Sequence, residues 1–130
     1  MPAPQPLAVT GMPRGLLRIE ATGLLVAAVA AMPLAGAPWW PFAVAAIAPD
    51  LSMLGYLGGR RAGAIAYNAA HTTLGPLCLA ACGIAFAVPI ATAAGLGWLA
   101  HIGFDRALGY GLKYATGFVD THLGRLGRDR

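Results

Sequence analysis

Two histidines and two aspartates are the residues of this chain whose types and spacing can do chemistry. Asp50 directly follows Pro49, His71 stands three residues after Asn68, and His101 and Asp105 stand four apart. Helical residues three or four apart share a face, so Asn68 and His71 form one polar pair and His101 and Asp105 another. Imidazole nitrogens and carboxylate oxygens together suit Zn²⁺, Mn²⁺ or Fe²⁺, with the Asn68 amide as a further oxygen ligand or an orienting group. An ion held there would make a bound water acidic enough to hydrolyse an ester or a phosphate. Without an ion, the imidazoles can relay protons between the two carboxylates. The same side chains can also form a purely structural network, with Asp50 near Arg60 and Arg61, and Asp105 next to Arg106. No two histidines share one helix turn, so the pattern is not His-Glu-x-x-His.

The surroundings make these residues conspicuous. Residues 62–104 run 43 positions without Asp, Glu, Lys or Arg, and a second uncharged run, 21–49, ends directly at Asp50. Runs of this length read as membrane spans, where polar side chains are costly and need a partner or a function. The chain is 58% hydrophobic and 11% charged, whereas soluble domains carry about 25% charged residues. A soluble bundle needs polar outer helix faces, which the central segments lack. The many Ala and Gly residues suit close helix packing in lipid. Cys78 and Cys82, four apart in an apolar segment, read as small buried thiols with neither a disulfide framework nor a zinc knuckle. The net charge of +4 comes from basic residues flanking apolar runs. They form no stripe or recognition helix, which argues against nucleic acid.

The positioning elements follow from breaker residues. A flexible N-terminal tail is expected over 1–13, a single transmembrane helical domain over 14–124, and a basic tail over 125–130. The first span covers 16–35 and ends at Pro33 and Gly36-Ala37-Pro38, with Trp39 and Trp40 at the interface. The second covers 41–57, kinked or interrupted at Pro49, with Asp50 in a short restarted helix or re-entrant turn. A third, 62–88, is expected to bend at Pro76, and a fourth covers 90–105. The predicted fold is all-α: a compact four-helix transmembrane bundle with a short interfacial C-terminal segment over 106–130. Four spans put all nine basic residues on the side of both termini, which the positive-inside rule assigns to the cytoplasm of an inner-membrane protein. Asp50, Asn68, His71, His101 and Asp105 then gather in the cytoplasmic half of three helices. Glu20 either stabilises the first turn of its helix through the dipole or joins the cluster as an extra or second-sphere ligand. His122, among basic tail residues, is placed to meet anionic headgroups.

The same residues carry a resemblance. Pro49-Asp50-Leu51-Ser52-Met53-Leu54-Gly55-Tyr56, Tyr67-Asn68-Ala69-Ala70-His71, the block Trp98 to Arg106, Gly109-Tyr110-Gly111-Leu112-Lys113-Tyr114 and Thr121-His122-Leu123-Gly124 are similar to blocks of a small bacterial integral membrane family catalogued as domain of unknown function 4260. The similarity covers about 17–124 and implies the membrane topology without naming a reaction. A weaker likeness is to membrane-bound metal-dependent hydrolases, which also pair an aspartate after a proline with later intramembrane His and Asp residues; this chain lacks their fuller set. The leading expectation is a metal-assisted site, hydrolytic toward a lipid or headgroup substrate. Asp50, His71, His101 and Asp105 would hold one Zn, Mn or Fe ion. The alternatives are a non-catalytic membrane protein whose polar cluster stabilises the bundle or docks a larger complex, and a proton-coupled carrier acting as a dimer. The expected partners are the bilayer, anionic headgroups at the basic face, and a homo-oligomer or larger complex.

Overall fold

Prolines and glycines divide the chain into four helical rods. The computed structural model describes residues 7–126. Positions 1–6 of the expected N-terminal tail and 127–130 of the expected basic tail lie outside the described residues. The first rod is α1, Gly11–Ala31, continued by a 3-10 turn at Met32–Ala35 that contains Pro33. The second is α2, Trp40–Ile47, followed by a 3-10 stretch at Ala48–Gly58. The third comprises α3, Arg60–His71, and α4, Leu74–Ala85. The fourth is α5, Pro89–Leu108. It starts on a proline whose missing N–H is not needed in a first turn, and it stops at Gly109 with φ +93°, a conformation that favours glycine.

The third rod breaks one turn earlier than expected. Pro76 itself lies inside α4, and the interruption falls at Thr72 and Thr73, where Thr72 is extended with ψ 146°. The reason is steric: a proline has no N–H for the carbonyl four residues before it, and its ring collides with that carbonyl. The strain of Pro76 is therefore released at Thr72.

Helix α5 is the axis of the bundle, packed against α1, α2 and α4. Small residues allow these approaches. Gly95 faces the Ala80 backbone of α4, Gly97 the Phe42 backbone of α2, and Gly103 the Ala21–Leu25 turn of α1. Ala28, Leu99 and Ala100 form a small apolar core, with Leu24, Leu25 and Phe42 against it. The 3-10 stretch lies on α3, where the Tyr56 ring covers Gly63.

Most large apolar side chains point outward, among them Ile19, Val26, Ile47, Leu54, Ile65 and Ile84. Cys78 and Cys82 are also exposed, contrary to the expectation of buried thiols: α4 turns Pro76, Ala80 and Gly83 inward instead. Among the described residues, two segments are long and apolar enough to cross a membrane, Gly11–Ala35 and Trp40–Gly58, and only 17% and 11% of their apolar windows is buried. The other two rods do not meet that measure. One is divided into two 12-residue helices, and the other contains His101, Asp105 and Arg106.

The C-terminal segment folds back over one end of the bundle. Strands β1, Asp120–Thr121, and β2, Gly124–Arg125, pair antiparallel, and Lys113 bridges to Thr121. Lys113, Thr121 and Leu123 are buried there. Chain preceding α1 joins the same cap: Val9 N–H donates to the His122 carbonyl at 2.9 Å, and the Tyr114 hydroxyl to the Leu7 carbonyl at 2.6 Å.

The axial packing yields a paired prediction. Gly97→Ala forces a Cβ into the Phe42 backbone and should cost about 1–3 kcal/mol. Gly23→Ala, in α1 with nothing within 4 Å of the new Cβ, should be neutral or stabilise by about 0.5–1 kcal/mol. Thermal unfolding in detergent measures both.

Candidate metal centre

Two proline-induced irregularities place the polar residues. Pro49 offers no N–H to the carbonyl of Ala46, three residues earlier, and Asp50 enters the first turn of the 3-10 stretch. His71 is the last residue of α3, and the carbonyls at that helix end are satisfied from α5. The Trp98 indole N–H donates to the Ala70 carbonyl at 2.6 Å, and the Arg106 guanidinium to the His71 carbonyl at 3.2 Å. Trp98 and Arg106 bracket His101 and Asp105 on the same helix. The helix that supplies two polar groups thus also anchors the end of the helix that supplies a third.

The four side chains converge tightly. His71 Nε2 lies 3.5 Å from Asp50 Oδ1 and 3.5 Å from Asp105 Oδ2. His101 Nε2 lies 3.2 Å from each of those oxygens. The two Nε2 atoms are 3.1 Å apart, and one atom from each of the four residues falls within a 4.8 Å span. A tetrahedral ion with bonds of about 2.0–2.1 Å has donor–donor edges of about 3.3–3.4 Å. The five separations that involve an imidazole, 3.1–3.5 Å, bracket that value, and the two carboxylates complete the set within 4.8 Å. His71 and His101 are almost fully buried, Asp105 largely so, and Asp50 is 52% exposed.

The proton positions sharpen this reading. His71 Nδ1 lies 2.8 Å from the Tyr67 carbonyl, and His101 Nδ1 lies 2.8 Å from the Ala46 carbonyl. A carbonyl only accepts, so both Nδ1 atoms carry a proton, which leaves each Nε2 turned to the cluster. The two Nε2 atoms face one another with two carboxylate oxygens beside them. A cation at the centre would be met by four donors, and backbone carbonyls on the distal nitrogens are the usual support of metal-bound histidines.

Asn68, expected as a further or second-sphere ligand, spends its amide on the C-terminal cap. Its Oδ1 accepts from Lys113 N–H at 2.7 Å, and its Nδ2 donates to the Lys113 carbonyl at 2.8 Å. Glu20 does not join the cluster either: it lines a separate pocket of about 180 Å³ with Arg106 and His122. His122 accepts the Leu112 N–H on Nδ1 at 2.8 Å. Burial, and then the Arg106 charge, hold its pKa below the ordinary histidine value.

Sequence reasoning did not single out Lys113 as a site residue. Its ammonium donates to the Phe118 carbonyl at 2.8 Å and lies 3.7 Å and 4.6 Å from the centroids of Phe118 and Tyr67. Tyr67 in turn stacks on His71 at 3.7 Å. Burial pulls the ammonium pKa down to about 8, opposed by the charge of Asp105. The available signal was that Lys113 is the only lysine in the chain. A pocket of about 620 Å³ opens beside the cluster, lined by Asp50, Asp105, Tyr67, Lys113, Met53 and Phe118 among others.

The chain belongs to the family described as domain of unknown function (DUF4260), whose model matches residues 14–126. No curated protein and no solved structure matches it.

The Asn68 clamp is testable. Asn68→Ala leaves the Lys113 N–H and carbonyl without these partners and should cost about 1–3 kcal/mol. Faster hydrogen exchange at the Lys113 amide, with the helical amides of α5 unchanged, is the expected result.

Proposed function

We propose that this chain is a multi-pass bacterial inner-membrane protein that binds one Zn, Mn or Fe ion through Asp50, His71, His101 and Asp105. On this reading the ion serves metal-assisted hydrolysis of a lipid or headgroup ester. The observation that carries it is the pair of Nε2 atoms facing each other at 3.1 Å between two carboxylates, each ring oriented by a backbone carbonyl. Such an ion supplies a water acidic enough to react near neutral pH. The water oxygen would bond to the ester centre, the ester bond would break, and the departing alcohol would take up the water's proton. The half-exposed Asp50 and the adjoining pocket favour access by a substrate.

A membrane setting is supported by the outward apolar faces of the first two rods. Orientation is supported by where basic residues are held. Arg18 donates to the Ala107 carbonyl, Arg60 to the Thr116 carbonyl and Arg106 to the His71 carbonyl, all at the end that carries the cluster. The connections at residues 36–39 and 86–88 carry no charge. By the positive-inside rule the site end and both termini are cytoplasmic.

A second reading has its own observation. Four protein donors can fill a tetrahedron, as in structural zinc sites, and here they come from the 3-10 stretch, α3 and α5. An ion would then clamp the bundle without catalysis.

Elemental analysis of detergent-purified protein tests the metal. Wild type should carry close to one Zn, Mn or Fe per chain, and His71→Ala and His101→Ala should each lose it. Absence of metal from wild type, with both variants still folded, would overturn the proposal. Cobalt-loaded protein separates the two readings. Azide should change its visible spectrum if a coordination position is open, and leave it unchanged if four protein ligands close the site.

A further inference from the structure

Charge accounting around the pocket points to its ligand. Lys113 is 5% exposed and lines the pocket together with Asp50 and Asp105. A buried ammonium normally has a carboxylate partner, because leaving it alone in a low-dielectric site is costly. Among the described residues, no carboxylate lies within 4.0 Å of Lys113. The carboxylates of Asp50 and Asp105 are turned to the imidazoles instead. Among the described residues the ammonium makes one hydrogen bond, to the Phe118 carbonyl, out of the three it can donate. Two aromatic faces stabilise the cation without neutralising it.

With a divalent ion in the cluster, the charges of ion and carboxylates cancel, and the lysine leaves the pocket with one net positive charge. We propose that Lys113 and the metal centre together form a subsite for a phosphate ester in the pocket they share. A phosphate carries the negative charge that the lysine lacks as a partner while keeping its ester link. Met53, Phe118 and Leu126 supply an apolar wall for the esterified group. The fold holds this lysine in place deliberately: Asn68 of α3 grips its backbone on both sides, three residues before His71. The inference rests on the metal reading, since in the metal-free cluster the two carboxylates would repel an anion.

The test uses the single lysine as a reporter. Protein carrying isotope-labelled lysine gives one side-chain signal, from Lys113, and is compared in metal-loaded and metal-free forms. Metal content is measured separately on each sample. Inorganic phosphate in detergent and phosphatidic acid in phosphatidylcholine nanodiscs should each shift that signal in the metal-loaded form only. The arm that saturates at lower concentration assigns a soluble or a lipid source. Lys113→Met should keep its metal while binding phosphate roughly tenfold or more weakly, as expected for loss of a charged hydrogen bond. If that variant does not fold, the wild-type signal still decides. A full complement of metal with no shift in either arm overturns the subsite and leaves the metal reading standing. Failure to take up metal overturns both. An equal response to acetate overturns the assignment to phosphate.

Discussion

The arrangement depends on two hydrogen bonds that point away from the cluster. Each imidazole gives its Nδ1 proton to a backbone carbonyl, His71 to Tyr67 and His101 to Ala46. These bonds set ring orientation and proton position together, so both Nε2 atoms must face the same small volume. Everything else about the site follows from holding that convergence in place. The His71 bond stays within α3, whereas the His101 bond reaches Ala46 of α2 from α5 and so also fastens two rods.

Holding it requires rigid surroundings, and the chain obtains them from irregularities rather than from a large core. The apolar core is small. Close backbone contact along α5 compensates, through glycines that a methyl group would disrupt. The helix ends at Pro49 and Thr72 would expose unpaired carbonyls in a regular bundle. Here those carbonyls are the acceptors that orient His101 and engage Trp98 and Arg106. The breaks that weaken the rods as helices thus build the site.

The cap adds a second layer of constraint. Residues after Gly109 leave the helix, cross the end of the bundle and return as a short hairpin. This places Lys113 over Tyr67, which stacks on His71. A segment that reads as surface-seeking from its mixture of arginines and aromatics is instead tied down by Asn68, by His122 and by the chain that precedes α1. A cationic wall, two carboxylates and an apolar wall meet in one pocket as a result.

Much of this was legible from residue order. Uncharged runs, together with Pro33, Gly36, Pro49, Gly59 and Pro89, locate the four rods, because hydropathy and backbone restriction act locally. The spacing of His101 and Asp105 places them on one face, because helix geometry is periodic. Asp50, His71, His101 and Asp105 were legible as one set, but the departure of Asn68 from it was not. Asn68 and His71 share a face, yet one turns to Lys113 and the other to the cluster. That choice depends on a loop 45 residues away. Similarly, Pro76 announces a break, but its position at Thr72 comes from the carbonyl with which its ring collides. The outward turn of Cys78 and Cys82 depends on which side of α4 meets α5, which composition does not encode. By itself the sequence determined the rods, their breaks and an inventory of ligands. Only the tertiary structure decided that Asn68 leaves the set and that Lys113 lines the adjoining pocket, because this depends on distances between helices and on hydrogen bonds between residues far apart in the chain.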